Sequence, residues 1–208
     1  MNDSAENRQP ANLTDFLRKT FSKFLEPVGH FFNRLGIKPN TMTLIGVMGN
    51  IAAAVLIALG HISWGGLLVL LMGPVDAIDG VMARQRGRVT RFGGFVDSVA
   101  DRYSEIFILG GLLIFYVNRG ETLPVILAYL AAAGSVLVSY IRARGEAAGY
   151  QVKAGLLTRV ERYLILAPCL IINRPLIALW ALAVLANLTA LQRIWLVRTK
   201  AKTENDIL

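Results

Sequence analysis

Four aspartates, Asp76, Asp79, Asp97 and Asp101, interrupt sequence that is otherwise apolar enough for a membrane. A charge at the centre of a membrane helix costs about 2.5–3.5 kcal/mol on insertion scales, so such acids face the protein interior and usually mark a site. Carboxylates without a matching set of His or Cys favour Mg²⁺ or Mn²⁺. Four are enough for two metal ions about 3.5–4 Å apart, a pair that stabilises both the attacking and the leaving oxygen of a phosphoryl transfer.

The spacing of the acids predicts the helices that carry them. Asp76 and Asp79 are three residues apart and Asp97 and Asp101 four apart, so each pair lies on one face of its own helix. Two antiparallel helices would bring all four together. At about 1.5 Å per residue, the acids lie roughly 9–12 Å inside the charged ends of these helices. A polar headgroup can reach this depth from water while a lipid tail remains in the bilayer.

Composition predicts that these helices belong to a multi-pass membrane protein. The chain has 208 residues, of which 54% are hydrophobic and only 17% charged. Such a composition is too apolar for an ordinary soluble domain. The net charge of +8 gathers at the ends of apolar runs, which is typical of anchoring beside anionic lipid. No nucleic-acid-binding motif is present, and we expect no nucleic-acid partner.

The apolar runs predict an all-α membrane fold with six transmembrane helices. Each run has about the 20 residues needed to cross a bilayer. The predicted spans are 41–60, 62–84, 92–117, 122–142, 156–173 and 175–197. They form one domain over 39–199, with a tail at 200–208. Before it we expect a disordered tail at 1–11 and an amphipathic interfacial helix at 12–38, kinked near Pro27.

The distribution of basic residues predicts the orientation. Of the 22 Lys and Arg residues, only Arg119 and Arg174 fall on the side of the short connections. The positive-inside rule then places both termini and the acids on the cytoplasmic side of the cell membrane.

Two functions other than catalysis also fit the observations so far. Acids within a helical bundle also bind and pass ions, as in a cation transporter or channel. Such a protein would distribute acids through the full membrane depth, whereas here the outer half is without them. A structural or adaptor protein explains the topology but gives no reason for four buried acids.

The full motif, Asp76-x2-Asp79-Gly80-x2-Ala83-Arg84-x8-Gly93-x3-Asp97-x3-Asp101, resembles that of the CDP-alcohol phosphatidyltransferases. The resemblance implies displacement of CMP from a CDP-linked lipid by the hydroxyl of a small alcohol, with two divalent metals, Mg²⁺ or Mn²⁺. It implies that Asp76 and Asp97 bridge the metals and that Asp79 and Asp101 each complete one site. Asp101 is also the implied general base. Members are typically homodimers, so we expect the same here.

The resemblance also implies a nucleotide site. Most of its residues have a second, structural explanation. Its matched positions are Pro39, Asn40, Thr41, Met42, Gly80, Ala83, Arg84, Thr90 and Gly93. Small residues at Gly80 and Ala83 let a diphosphate approach, but they also suit tight helix packing. Arg84 is equally a positive-inside anchor, and the Pro39–Met42 turn equally a helix start.

A second group of residues, four arginines, could bind the acceptor alcohol. Arg142 ends the fourth span, Arg159 and Arg162 begin the fifth, and Arg193 lies late in the sixth. Arginine suits bidentate phosphate binding, so together they predict a phosphate pocket, although singly each is an interfacial anchor.

The run SYIRARGEAAGYQVKAGLLTRVER resembles the matching stretch of prokaryotic phosphatidylinositol phosphate synthases. The implied acceptor is inositol 1-phosphate, with Arg142, Arg162 and Arg193 as phosphate ligands and Arg159 nearby. Glycerol 3-phosphate is the alternative acceptor, because it also carries a phosphate.

Overall fold

The computed structural model describes residues 25–87, 89–152 and 155–203, and these residues form helices and short connections without a β-strand. The all-α prediction is therefore confirmed over the described chain. In order, the helices are α1 (residues 25–34), α2 (Pro39–Ala58), α3 (Ile62–Gln85), α4 (Arg91–Asn118), α5 (Thr122–Ala147), α6 (Arg159–Ile171) and α7 (Pro175–Thr203).

Each of the six predicted apolar segments corresponds to one helix, from α2 to α7. Most ends agree within three residues, but α5 continues to Ala147 and α7 to Thr203. Hydropathy falls where a chain leaves the lipid, whereas backbone hydrogen bonding continues into the water. The apolar pattern therefore located the helices better than their ends.

Length and composition support four of the six predicted crossings, by α2, α3, α5 and α7. Helix α4 has 28 residues, but its first half carries several charges. Helix α6 has 13 residues, or about 20 Å at the α-helical rise, which is less than the hydrocarbon core of about 30 Å. Large apolar side chains such as Trp64 and Leu191 are exposed on the outside. The protein is a multi-pass membrane protein.

Only the last part of the predicted N-terminal helix falls within the described residues. Residues 12–24 of the predicted interfacial helix, and the predicted tail at 1–11, lie outside the described residues. Helix α1 buries Leu25 against a small core on α3, while Phe31 stays exposed. Arg86 Nε donates to Asn33 Oδ1 at 2.6 Å, and Gln85 Nε2 donates to the Glu26 carbonyl at 2.9 Å. These bonds attach α1 to the end of α3.

Small residues let the long helices touch backbone to backbone. A Cβ at Gly111 of α4 would meet the Ala54 carbonyl oxygen of α2 at 2.5 Å. A Cβ at Gly66 of α3 would meet the Ile171 nitrogen of α6 at 2.8 Å. Contacts this close fix α4 on α2 and α6 on α3, and the predicted site residues lie on these helices.

Candidate active site

One cation holds two of the predicted acids together. Arg159 Nη2 lies 2.7 Å from Asp76 Oδ2 and 2.6 Å from Asp101 Oδ1. The two acids come from α3 and α4, and their side chains are only 13% and 11% exposed. The start of α6 therefore places a guanidinium between these helices. This contact joins an acid predicted to bind metal with the predicted general base.

A glycine on α2 makes room for the first acid. A Cβ at Gly46 would overlap Asp76 Oδ1. The carboxylate therefore lies directly against the α2 backbone, and any side chain at position 46 would displace it.

The other two acids lie close by in different surroundings. Asp79 is 6% exposed and accepts a hydrogen bond from the Thr43 hydroxyl, which lies one turn into α2. Asp97 is half-buried, one turn before Asp101 on α4. Thr43 thus orients one predicted metal ligand.

The acids fit a hard divalent ion by their chemistry. All four donors are carboxylates, and two of them already surround a positive group. Among the described residues, no three Asp, Glu, His or Cys side chains converge closely enough to hold an ion, and Arg159 lies between Asp76 and Asp101 instead. The metal-binding role of the four acids stays a prediction.

The predicted nucleotide residues occupy two helix starts near the acids. Pro39 begins α2, followed by exposed Asn40 and Thr41, whereas Met42 is 3% exposed in the small core beside α1. Thr90 caps α4, because its hydroxyl accepts from the Gly93 nitrogen at 3.0 Å. Helix capping therefore accounts for Thr90, and the preference of proline for the first position of a helix accounts for Pro39, without a ligand.

The remaining nucleotide positions line one side of α3. Gly80 and Ala83 are half-buried, and Arg84 is exposed. An Arg84 terminal nitrogen lies 3.4 Å from the position that a Cβ on Gly80 would take. The Arg84 side chain therefore folds back over Gly80. A nucleotide role for these three residues stays a prediction.

The four predicted arginines have different surroundings. Arg162 is 2% exposed and pairs with Glu105, through Nε to Oε1 at 2.6 Å and Nη2 to Oε2 at 2.9 Å. Arg193 is 3% exposed and donates from Nη1 to the Val138 carbonyl at 2.6 Å. Arg142 is half exposed and pairs with Glu146 at 2.9 Å.

One cavity of about 40 Å³ brings acids and arginines together. Its lining is drawn from α2, α3, α4 and α6: Asn50, Asp76, Asp101, Ser104, Glu105, Ile108, Arg159, Arg162, Tyr163 and Leu166. Buried Asn50 Oδ1 and Ser104 Oγ have no hydrogen-bond partner among the described residues. A polar ligand could satisfy both atoms.

Sequence reasoning overlooked three residues of this region. Glu105 lies four residues after Asp101, so extending the same helix face by one turn would have found it. Thr43 and Tyr163 gave no comparable signal. Their partners lie 36 and 90 or more residues away in the chain, where local spacing carries no information.

An apolar helical bundle with acids and arginines around one cavity is the architecture of an integral membrane enzyme. Residues 37–200 match the sequence model of the family described as CDP-alcohol phosphatidyltransferase. The chain belongs to this family and is a transferase, as the acidic motif predicted. Family membership favours this activity over the transporter and adaptor alternatives.

Individual relatives point to one branch of the family. A phosphatidylinositol phosphate synthase of Mycobacteroides abscessus is 36% identical over 191 residues, covering 88% of this chain and 87% of that protein. The Mycobacterium tuberculosis phosphatidylinositol phosphate synthase with CDP-DAG bound superposes with a TM-score of 0.79 at 29% identity, covering 84% of this chain and 94% of that one. The complex of the same protein with manganese and citrate superposes with a TM-score of 0.78 at 31% identity, covering 84% of this chain and 89% of that one. The resemblance to these synthases is therefore confirmed.

Proposed function

We propose that this protein transfers the phosphatidyl group of a CDP-linked lipid, such as CDP-diacylglycerol, to inositol 1-phosphate and releases CMP. The observation that carries the proposal is the shared cavity, in which Asp76 and Asp101 lie beside Arg159 and Arg162. Acids suited to the divalent ions that hold a diphosphate, and arginines suited to a second phosphate, then meet in one space. The relatives named above support the choice of lipid and acceptor.

The reaction exchanges one phosphorus–oxygen bond for another. The acceptor hydroxyl oxygen bonds to the phosphorus that carries the lipid, and the bond from that phosphorus to the CMP oxygen breaks. Asp101 takes the hydroxyl proton. Arg162 and Arg193, together with Arg142, bind the acceptor phosphate and orient the hydroxyl.

Divalent ions complete the proposed site. The manganese complex of the relative and the oxygen-only donor set support Mg²⁺ or Mn²⁺, held by Asp76, Asp79, Asp97 and Asp101. When bound, two such ions would neutralise the diphosphate and acidify the acceptor hydroxyl. The positions opening α2 and those around Arg84 would hold the nucleotide.

We also propose six crossings, with α4 and α6 completing the bundle and the site opening to the cytoplasm. Support comes from the charges of α4, which all lie between Arg91 and Glu105 and include two that line the cavity, and from the sidedness of Lys and Arg. An interfacial N-terminal helix and a homodimer remain predictions.

An acceptor screen tests this function. Purified protein with Mg²⁺ and CDP-diacylglycerol should release CMP with inositol 1-phosphate and much less with free inositol, since only the former pairs with the arginines. Faster CMP release with glycerol 3-phosphate would identify that alcohol as the acceptor in place of inositol 1-phosphate. No release with any alcohol, phosphorylated or free, would contradict the enzyme itself.

A further inference from the structure

Two ionic contacts join α4 and α6 across the cavity. Asp101 and Glu105 are one turn apart on α4, and Arg159 and Arg162 are three residues apart on α6. Arg159 contacts Asp101 at 2.6 Å, and Arg162 contacts Glu105 through both carboxylate oxygens. The first contact involves the predicted base. The second involves a carboxylate that the proposed reaction does not use.

The second contact is buried and bidentate, with two nitrogens of Arg162 each bound to one oxygen of Glu105. Side-chain exposure is 2% for Arg162 and 14% for Glu105. A buried ion pair is poor evidence of stability, because apolar residues of similar volume often replace it without loss. A parallel pair of N–H···O bonds does, however, hold the guanidinium in one plane. The contact is therefore better explained by orientation than by stability.

Some N–H donors of Arg162 have no partner among the described residues and could bind a ligand. A guanidinium has five N–H donors. In the described chain three are used, two by Glu105 and one, from Nη1, by the Leu157 carbonyl at 3.3 Å. One N–H remains on each terminal nitrogen, and the end edge of the guanidinium lies between these two nitrogens. Since Arg162 lines the cavity, this edge is the part suited to a phosphate.

We propose that Glu105 is a positioning residue for the acceptor. It occupies the side edge of the Arg162 guanidinium and so presents the end edge to the acceptor phosphate, without touching the substrate itself. This inference rests on the proposed function, because it assigns a phosphate to Arg162.

The conservative variants separate charge from geometry. Glu105→Gln turns one oxygen acceptor into an N–H donor facing an Arg162 N–H, so the parallel pair is lost. Glu105→Asp keeps the charge but withdraws the carboxylate by one methylene. The matched control is Glu121→Gln, because Glu121 also receives an arginine nitrogen at 2.6 Å, but its side chain is 41% exposed, on the connection between α4 and α5.

The experiment measures CMP release while each substrate is varied in turn. We expect Glu105→Gln to raise the acceptor KM about 10–100-fold and to leave the CDP-lipid KM within about twofold, since only acceptor binding is lost. Glu105→Asp should give an intermediate acceptor KM, and Glu121→Gln should match the unmodified protein. An acceptor KM unchanged in both Glu105 variants would overturn the inference, and so would equal increases for both substrates.

A double-mutant cycle provides the second readout. With Arg162→Met already present, adding Glu105→Gln should change the acceptor KM by less than about twofold, because the group being positioned is gone. Additive effects would show that Glu105 acts independently and would overturn the inference. If Glu105→Gln alone does not fold, Glu105→Asp decides the question, and normal acceptor KM in that variant overturns it. Failure of the unmodified protein to release CMP would overturn the proposed function and this inference together, whereas normal release with unaffected variants overturns only the inference.

Discussion

The hydroxyl oxygen of Tyr163 lies 2.8 Å from the carbonyl oxygen of Leu70, one turn before Pro74 within α3. Proline has no N–H, so it cannot bond the carbonyl four residues before it. Tyr163, from α6, brings its hydroxyl to this break, between the Val69 carbonyl at 2.5 Å and the Leu70 carbonyl at 2.8 Å, and also accepts from the Gly73 nitrogen at 3.1 Å. The break lies two residues before Asp76. The tyrosine thus secures α3 where the acidic motif begins.

Tyr163→Phe tests this role. Losing hydrogen bonds at this half-buried site should lower the free energy of unfolding by about 1–3 kcal/mol and reduce kcat, because Asp76 is less firmly placed. Thermal unfolding in detergent and CMP release measure the two effects. Tyr129→Phe is the control, since Tyr129 is 64% exposed on α5. Equal melting temperatures for the two variants would count against the role.

Asp101→Asn should abolish turnover while nucleotide binding remains measurable. The amide cannot take the acceptor proton, but it keeps the volume of the carboxylate and a hydrogen bond to Arg159. CMP release and calorimetric titration with a CDP-lipid measure the two properties. Turnover near that of the unmodified protein would exclude Asp101 as the base.

Arg162→Ala and Arg193→Ala should each raise the acceptor KM much more than the CDP-lipid KM. Removing a charge-assisted contact to phosphate costs about 1.5–3 kcal/mol, or more than tenfold in affinity. The control is Arg119→Ala, whose exposed side chain pairs with Glu121 instead. Equal effects on both substrates would contradict an acceptor pocket at these arginines.

Arg159→Met should tighten the binding of Mn²⁺ to the protein in the absence of substrates. The guanidinium contacts Asp76 and Asp101, two of the proposed ion ligands, so its removal frees both carboxylates. We expect about tenfold tighter binding, measured by the Mn²⁺ signal in electron paramagnetic resonance and compared with Arg119→Met. Weaker binding would mean that Arg159 supports the ion site instead of competing for it.

The helices and the acidic motif were predictable because their signals are local. Apolar runs located α2 to α7, and Asp76 to Asp101 stand out against apolar neighbours. The contacts of Asp76 and Asp101 with Arg159 were not predicted, although each of these three residues was expected at the site. It depends on α6 packing against α3, through contacts such as Gly66 on Leu170, which no spacing pattern encodes. Spacing places a residue on a helix face, but only the tertiary fold selects its partner.

The position of Arg159 also bears on how the protein is made. Burying two like-charged acids in a membrane bundle without a counter-charge is costly. Arg159 supplies that charge from within the chain, so the two acids are partly neutralised without a bound ion. We therefore expect assembly of the helices not to depend on the proposed ions. A chelator should accordingly silence the enzyme reversibly and leave its helices intact.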